Sequence, residues 1–255
     1  MAQFGSVLLT GASSGIGSAL AEACAAPGVT LHLSGRNAER LDAVAAACRA
    51  RGATVRTQAI DVRNAPAMAQ WVTGSGPLDL VVANAGIAPG TNPSEAETES
   101  KTRAVFATNL DGVLNTVLPA IEKLAAQPPG PDGVRGHVAV IASIAAFVPS
   151  PVGPAYGASK AAVDAWTVGS ASAARRRGIV LTSVCPGFIR TPMTARFAFP
   201  MPGLMSAERA ADIILRGIAA GGVRVAFPWW MAAGARIGGL LPLRWVAAFT
   251  ERRRS

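Results

Sequence analysis

The chain has 255 residues, 50% of them apolar and 15% charged, and carries a formal net charge of +9. That length allows one substantial core but is short for two ordinary domains, and the apolar content excludes a disordered chain. The basic total does not mark a nucleic-acid partner, because the arginines form no stripe interleaved with aromatic or groove-reading elements; much of the charge sits in Arg175 to Arg177 and in six arginines after Val223.

Taken from the start, Met1 to Thr10 runs directly into a strand without a basic segment and an apolar h-region, so no secretory signal and a cytoplasmic location are expected. Strand-length apolar runs follow at Ser6 to Thr10, Thr30 to Ser34, Thr54 to Ile60, Leu78 to Ala83, His137 to Ala142, Val180 to Cys185 and Val223 to Phe227. Between them, Gly15 to Ala26, Ala38 to Ala50, Arg103 to Leu124, Pro154 to Arg177 and Ala207 to Ala220 carry apolar faces at helical spacing. Regular alternation of this kind predicts an α/β fold, a doubly wound (Rossmann) seven-stranded parallel sheet with helices on both faces. Right-handed crossovers would bring the strand C-termini to one edge, where a ligand should bind. Cys24, Cys48 and Cys185 match no disulfide or metal spacing and read as small buried apolar residues. His32 and His137 lie inside strand-like runs, so no metal site is expected.

Chemistry first enters at Thr10-Gly11-Ala12-Ser13-Ser14-Gly15-Ile16-Gly17, a glycine turn between the first strand and the first helix. Glycines there allow a tight bend and close approach of backbone to a pyrophosphate, while the helix N-terminus offers free N–H groups and positive dipole. Asn84-Ala85-Gly86 follows the fourth strand, Asn109 lies in a long helix, Ser143 ends the fifth strand, Tyr156 and Lys160 stand four apart on a helix, and Pro186-Gly187 with Ile189 and Thr191 follows the sixth strand. Spacing of four puts the Tyr156 and Lys160 side chains on one helix face, where an ammonium would favour phenolate and draw the tyrosine pKa down from about 10. Ser143 at a strand end can donate to a carbonyl oxygen as negative charge grows on it.

Five ordered motifs over about residues 5 to 227 resemble the short-chain dehydrogenase/reductase family, the single-domain branch of about 250 residues. The resemblance implies a nicotinamide-dependent oxidoreductase with Asn109, Ser143, Tyr156 and Lys160 as catalytic residues. Asn109 would hold a water linking Lys160 to solvent. Cofactor contacts would come from Gly11, Ser13, Ser14, Gly15, Ile16, Gly17, Asp61, Val62, Asn84, Ala85, Gly86, Tyr156, Lys160, Pro186, Gly187, Ile189 and Thr191, with Asp61 accepting from the adenine amino group. At the end of the second strand, where an NAD enzyme places a carboxylate for the ribose 2′-OH, the sequence reads Ser34-Gly35-Arg36-Asn37. Arg36 suits a 2′-phosphate, so NADP(H) is the preferred cofactor, with NAD(H) left open because no second basic residue occupies the glycine turn.

Residues 192 to 206, rich in Met and Phe, would form a lid over a hydrophobic carbonyl or alcohol substrate, or else a surface loop packed on the core. The expected organisation is therefore one dinucleotide-binding and catalytic domain over 1–227 and an apolar, basic extension over 228–255. That extension, opening Pro228-Trp229-Trp230-Met231, is interrupted by Arg236, Pro242 and Arg244 and cannot span a bilayer; it should pack on the pocket or a subunit interface, or touch a membrane surface peripherally. Small residues of the long helix (Ala161, Ala162, Ala165, Gly169, Ala171 and Ala173) leave a second face for an isologous contact, and a homodimer or homotetramer is expected. The leading reading is an NADP(H)-dependent oxidoreductase with Tyr156 as general acid/base. Its rivals are a non-catalytic dinucleotide-sensing protein and a peripheral membrane reductase of lipid ketones.

Overall fold

Seven short runs rich in Val, Leu and Ile pair side by side in parallel, each continued by a helix that returns over one face. The structure is a computed structural model that describes residues 4–88, 97–149, 153–197 and 199–240. Strands β1 (Ser6–Thr10), β2 (Thr30–Gly35), β3 (Thr54–Ala59), β4 (Leu80–Ala83), β5 (Gly136–Ile141), β6 (Ile179–Pro186) and β7 (Arg224–Phe227) form one parallel sheet in the order β3-β2-β1-β4-β5-β6-β7. Reversal of strand order between β1 and β4 opens a crevice at their C-terminal ends, the place where doubly wound sheets bind ligands.

Helices α1 (Gly15–Cys24), α2 (Ala38–Ala50), α3 (Ala65–Thr73), α4 (Glu99–Phe106), α5 (Gly112–Ala125), α6 (Pro154–Arg176), α7 (Ala207–Ala219) and α8 (Trp229–Leu240) complete the described fold. Two apolar layers result. Leu20, Leu41, Ala211 and Ile214 fill one side with Leu31 and Leu33, while Met68, Val117, Leu124 and Val163 fill the other with Leu8 and Val81. Local sequence fixes several ends: Asn37 Oδ1 accepts from Arg40 N at 2.8 Å and Ser206 Oγ accepts from Arg209 N at 3.2 Å, each satisfying a first-turn donor.

Three elements differ from the sequence expectation. Helix α3 was absent from it, although Asn64 caps it, Pro66 sits in its first turn, and Met68, Trp71 and Val72 supply a buried stripe. The single helix expected over Arg103 to Leu124 begins earlier, at Glu99, and contains a wider π-helical turn at Ala107–Asp111 that carries Asn109. The tail past Pro228 starts with a helix, α8, that its glycines had concealed. By length and composition the run Glu99–Ala125 could cross a membrane, yet Val113, Val117, Ala120 and Leu124 face the sheet as core.

Burial explains the quiet histidines and thiols. His32 is pulled down to about 4 by burial, with the Arg56 and Lys123 charges adding to it, and His137 is lowered chiefly by burial. Burial pushes Cys24 and Cys185 up to about 12 and Cys48 up to about 11, although Cys24 is only partly buried, contrary to expectation. Among the described residues no group of His, Cys, Asp and Glu is placed to hold a metal ion.

Candidate active site

A cavity of about 530 Å³ runs along the C-terminal edge of the sheet. Its floor is backbone. Gly11 has a positive φ of 65°, and a Cβ added there would lie 2.8 Å from Ala85 Cα, so the turn after β1 passes too close to β4 for any side chain. Asn84 clamps the two strand ends: its Nδ2 donates to Thr10 O and Gly11 O at 3.0 and 3.1 Å, while Thr10 Oγ1 accepts from Asn84 N and Ala85 N. Ser14 caps α1 without a side-chain hydrogen bond to its first turn, so that those N–H groups have no side-chain acceptor. Of the expected cofactor contacts, all but Gly17 line this cavity. Gly17 lies beneath the turn, where a Cβ would stand 2.1 Å from Gly11 O, so its part is to let α1 seat against β1.

At the outer end, Arg36 and Arg40 both line the cavity from the start of α2. Sequence reading missed Arg40, although it stands four residues past Arg36 on a helix that Asn37 visibly caps. No carboxylate replaces them: a Cβ at Gly35 would come within 3.2 Å of Ser13 Cβ and Oγ, which leaves little room for a larger residue at the end of β2. Asp61 lines the cavity as expected, but its carboxylate is already held by the Arg63 guanidinium (Nη2 to Oδ2, 2.6 Å), whose hydrogen bonds keep it below the ordinary carboxylate range.

The inner end gathers Ser143, Tyr156 and Lys160, with Thr108, Ile141 and Ala142, none of the last three foreseen, in the same wall. Ser143 follows β5 and caps a 3₁₀ turn, Ile144–Ala146, its Oγ accepting from Ala145 N at 3.1 Å. Tyr156 lines the same wall, and the Ser143 side chain draws its pKa down. Burial raises the Tyr156 pKa and Ser143 only partly offsets this, while burial lowers Lys160 to about 8, against a smaller opposing effect of Cys185. This corrects the expectation of a phenol drawn down by its neighbour. Lys160 Nζ donates to Ile141 O at 2.7 Å and lies 5.8 Å from the centre of the Tyr156 ring, because a buried ammonium must first satisfy its own N–H groups. Tyr156 thus stands protonated at neutral pH, in the form that can donate.

Asn109 stands behind the wall rather than in it. Fully buried, it spends both N–H groups on Ile87 O (2.9 Å) and Ser159 Oγ (3.1 Å), and its Oδ1 accepts from Ile87 N at 2.8 Å. The wider helical turn therefore pins the segment after Gly86. A Cβ at Gly86 would meet Asn109 Oδ1 at 3.3 Å and Lys160 Nζ at 3.4 Å, so the residue must be small for the asparagine and the lysine to converge.

The segment expected to form a lid is built differently from that expectation. Of the described Met and Phe residues between 192 and 206, only Met193 lines the cavity; Phe197 stacks on Phe199, which meets Phe188 edge-on, and Met205 packs into the core. Helix α8 covers this side: a Cβ at Gly203 would meet the Trp230 ring at 2.9 Å, and one at Gly187 would meet Met231 Sδ at 2.9 Å. Residues 241–255, including the terminal arginines of the tail, lie outside the described residues.

Known proteins resemble this chain. Residues 6–199 match the profile of the family described as short chain dehydrogenase. The chain is 33% identical over 239 residues to a protein described as an uncharacterized oxidoreductase of Myxococcus xanthus, covering 92% of each. It is 32% identical over 191 residues to the serine 3-dehydrogenase of Agrobacterium fabrum, covering 74% of each. Among solved structures, a short-chain dehydrogenase from Sphingobium yanoikuyae in complex with NADPH superposes with a TM-score of 0.77 at 26% identity, over 97% of this chain and 93% of that one.

Proposed function

The chain belongs to the short-chain dehydrogenase/reductase family of oxidoreductases, and from that premise we propose that it reduces a carbonyl, or oxidises the corresponding alcohol, with Tyr156 as proton donor and acceptor and NADP(H) as the preferred cofactor. One observation carries this reading: a single cavity joins a side-chain-free glycine floor, two arginines at one end and, at the other, Ser143 and Tyr156, which we take as a hydrogen-bonded pair. The residues present fit a dinucleotide, since Gly11, Gly15, Gly35 and Gly86 line the cavity with bare backbone and the first-turn N–H groups of α1 have no side-chain acceptor, and the related NADPH complex favours the same cofactor. When bound, the dinucleotide supplies or takes up the hydride.

The other steps belong to the chain. Arg36 and Arg40 attract a phosphate at the adenosine end, and first-turn N–H groups of α1 face the charge of a pyrophosphate. Ser143 donates to the carbonyl oxygen as charge develops there, and Tyr156 delivers the proton that completes the alcohol. Lys160, its pKa near 8, keeps a positive charge beside the phenol during that transfer. Asn109 positions Ile87 and the helix face behind Lys160.

We assign residues 1–227 to the dinucleotide-binding and catalytic unit, with 192–206 as the lid, and 228–255 to a C-terminal extension whose described part, residues 228–240, covers the substrate side. A hydrophobic ketone or secondary alcohol is the substrate class that this reading favours, with Met193 as the apolar contact on the lid. The cytoplasm is the compartment proposed. A homodimer or homotetramer is supported by an open apolar groove between α5 and α6, where Leu118 is 50% exposed beside Pro119, Trp166 and Ala173. Ala165, Gly169 and Ala173 are exposed on that side, whereas Ala171 belongs to the sheet-facing core. The test is a panel of ketones and alcohols followed by nicotinamide absorbance with each cofactor, beside light scattering. Turnover with neither cofactor would return the chain to the dinucleotide-sensing alternative.

A further inference from the structure

One polar cluster in the core has no part in the reading above. Asp164 stands on α6 four residues past Lys160 and eight past Tyr156, on the same helix face, and its side chain is 8% exposed. Arg224 of β7 holds it with two hydrogen bonds, Nε to Oδ1 at 2.9 Å and Nη2 to Oδ2 at 2.7 Å, and Ser183 Oγ donates to Oδ1 at 2.6 Å. Arg224 also lies over the Phe147 ring, 5.5 Å from its centre. A second guanidinium, Arg236 of α8, lies 4.7 Å from the centre of the same ring. Phe147 closes the 3₁₀ turn that Ser143 opens, its N donating to Ile144 O at 3.0 Å. The backbone of α8 presses on it as well, since a Cβ at Gly239 would meet Phe147 O at 2.4 Å.

From this continuity we infer that Asp164, Arg224, Phe147 and Arg236 form a strut through which the C-terminal helix holds the Ser143 turn against Tyr156, which makes Arg236 and Phe147 positioning residues for the proton-transfer pair. The inference rests on the proposed roles of Ser143 and Tyr156. Physically, Asp164 fixes the guanidinium of Arg224 rigidly, because a buried carboxylate costs too much to leave unpaired. The ring then lies against two solvent-exposed cations and is held by quadrupole attraction. Three residues of turn separate that ring from Ser143, so freedom at Phe147 becomes freedom at the Ser143 hydroxyl, and misplacement of about 1 Å at a reacting group can cost about 100-fold in rate. Sequence reading had treated Arg236 only as an interruption of an apolar tail.

Tyr156 is the only tyrosine of the chain, so [¹³Cζ]tyrosine labelling gives one resonance that reports its hydrogen bonding in the full-length protein without a substrate. Ser143→Ala sets the resonance position for a lost Ser143 bond. Arg236→Leu is expected to move the resonance most of the way to that position, Arg236→Lys to restore it, and Arg236→Leu to add nothing in the Ser143→Ala background. Phe147→Leu, which keeps an apolar side chain but removes the ring from both cations, should act like Arg236→Leu and serves if that variant fails to fold. A resonance unmoved by folded Arg236→Leu or Phe147→Leu, while Ser143→Ala moves it, overturns the strut. If Ser143→Ala itself leaves the resonance in place, the Ser143–Tyr156 pairing of the proposed function fails instead.

Discussion

The two ends of the cavity are built by opposite means. At the nucleotide end, Gly11, Gly15, Gly35 and Gly86 keep side chains out, and the binding surface is backbone held together by one asparagine, Asn84. At the inner end the surface is side chain, that of Ser143, Tyr156 and Lys160, with Ser143 and Lys160 each engaged by a neighbour before any substrate arrives. The first arrangement tolerates almost no added atom, and the second almost no lost one. A pyrophosphate needs many N–H donors at short range, which only bare backbone provides, whereas a proton transfer needs one group of suitable pKa at one place.

Removing one oxygen from the inner end should have the largest effect. Tyr156→Phe is expected to lower the single-turnover rate by at least about 100-fold while NADPH affinity by calorimetry stays within about threefold, since only the transferable proton is lost. A rate within tenfold of wild type would contradict the assignment. Adding one methyl at the nucleotide end gives the converse: Gly17→Ala places a Cβ 2.1 Å from Gly11 O, and an overpacking cost of about 1–3 kcal/mol should weaken NADPH binding by about five- to 150-fold. Calorimetry on the folded variant checks this, and an unchanged Kd would show that the turn yields freely.

Titration separates the two ends as well. Lys160 is lowered to about 8, so its charge is complete below that pH and is lost above it. The kcat/KM for carbonyl reduction should therefore fall about tenfold per pH unit above about 8. The sign for stability is opposite: between about 8 and the unfolded lysine value near 10.4 the unfolded chain binds more protons, so the contribution of Lys160 to stability rises with pH in that window. A flat rate profile to pH 10 in the wild type would remove Lys160 from the mechanism.

Exchange of charge at the rim of the nucleotide end should act more mildly. Arg36→Asp is expected to shift the NADP-to-NAD ratio of kcat/KM by about tenfold toward NAD, with Arg40 retaining part of the preference, and Arg36→Asp with Arg40→Ala to shift it further. If neither variant changes the ratio, both arginines merely face solvent. Ending the chain after Phe227 removes the cover that touches Gly187 and Gly203 and, with Arg236, the support on Phe147, but no residue that lines the cavity, so the turnover rate should fall as in Arg236→Leu. Substrate KM should rise several-fold with NADPH affinity retained. Binding of the full chain to anionic vesicles, lost in the shortened one, would point to a membrane surface instead.

The sequence by itself determined the alternation of strands and helices, the glycine turn and the spacing of Tyr156 and Lys160. Each is a local property, fixed by side-chain periodicity or by what a backbone bend permits. It also carried the signals for α3 and Arg40, in a capping asparagine before each helix, although they went unread. Only the tertiary structure decided which group each side chain meets. Lys160 satisfies itself on Ile141, and Asn109 on Ile87 and Ser159, because a buried polar group takes the nearest partner that the packing of distant segments supplies. The same holds for α8. Its glycines argue locally against a helix, and its place follows from contacts with Phe147, Gly187 and Gly203, which lie between 27 and 92 residues away in the chain and meet it only because β5, β6 and β7 are neighbours in the sheet.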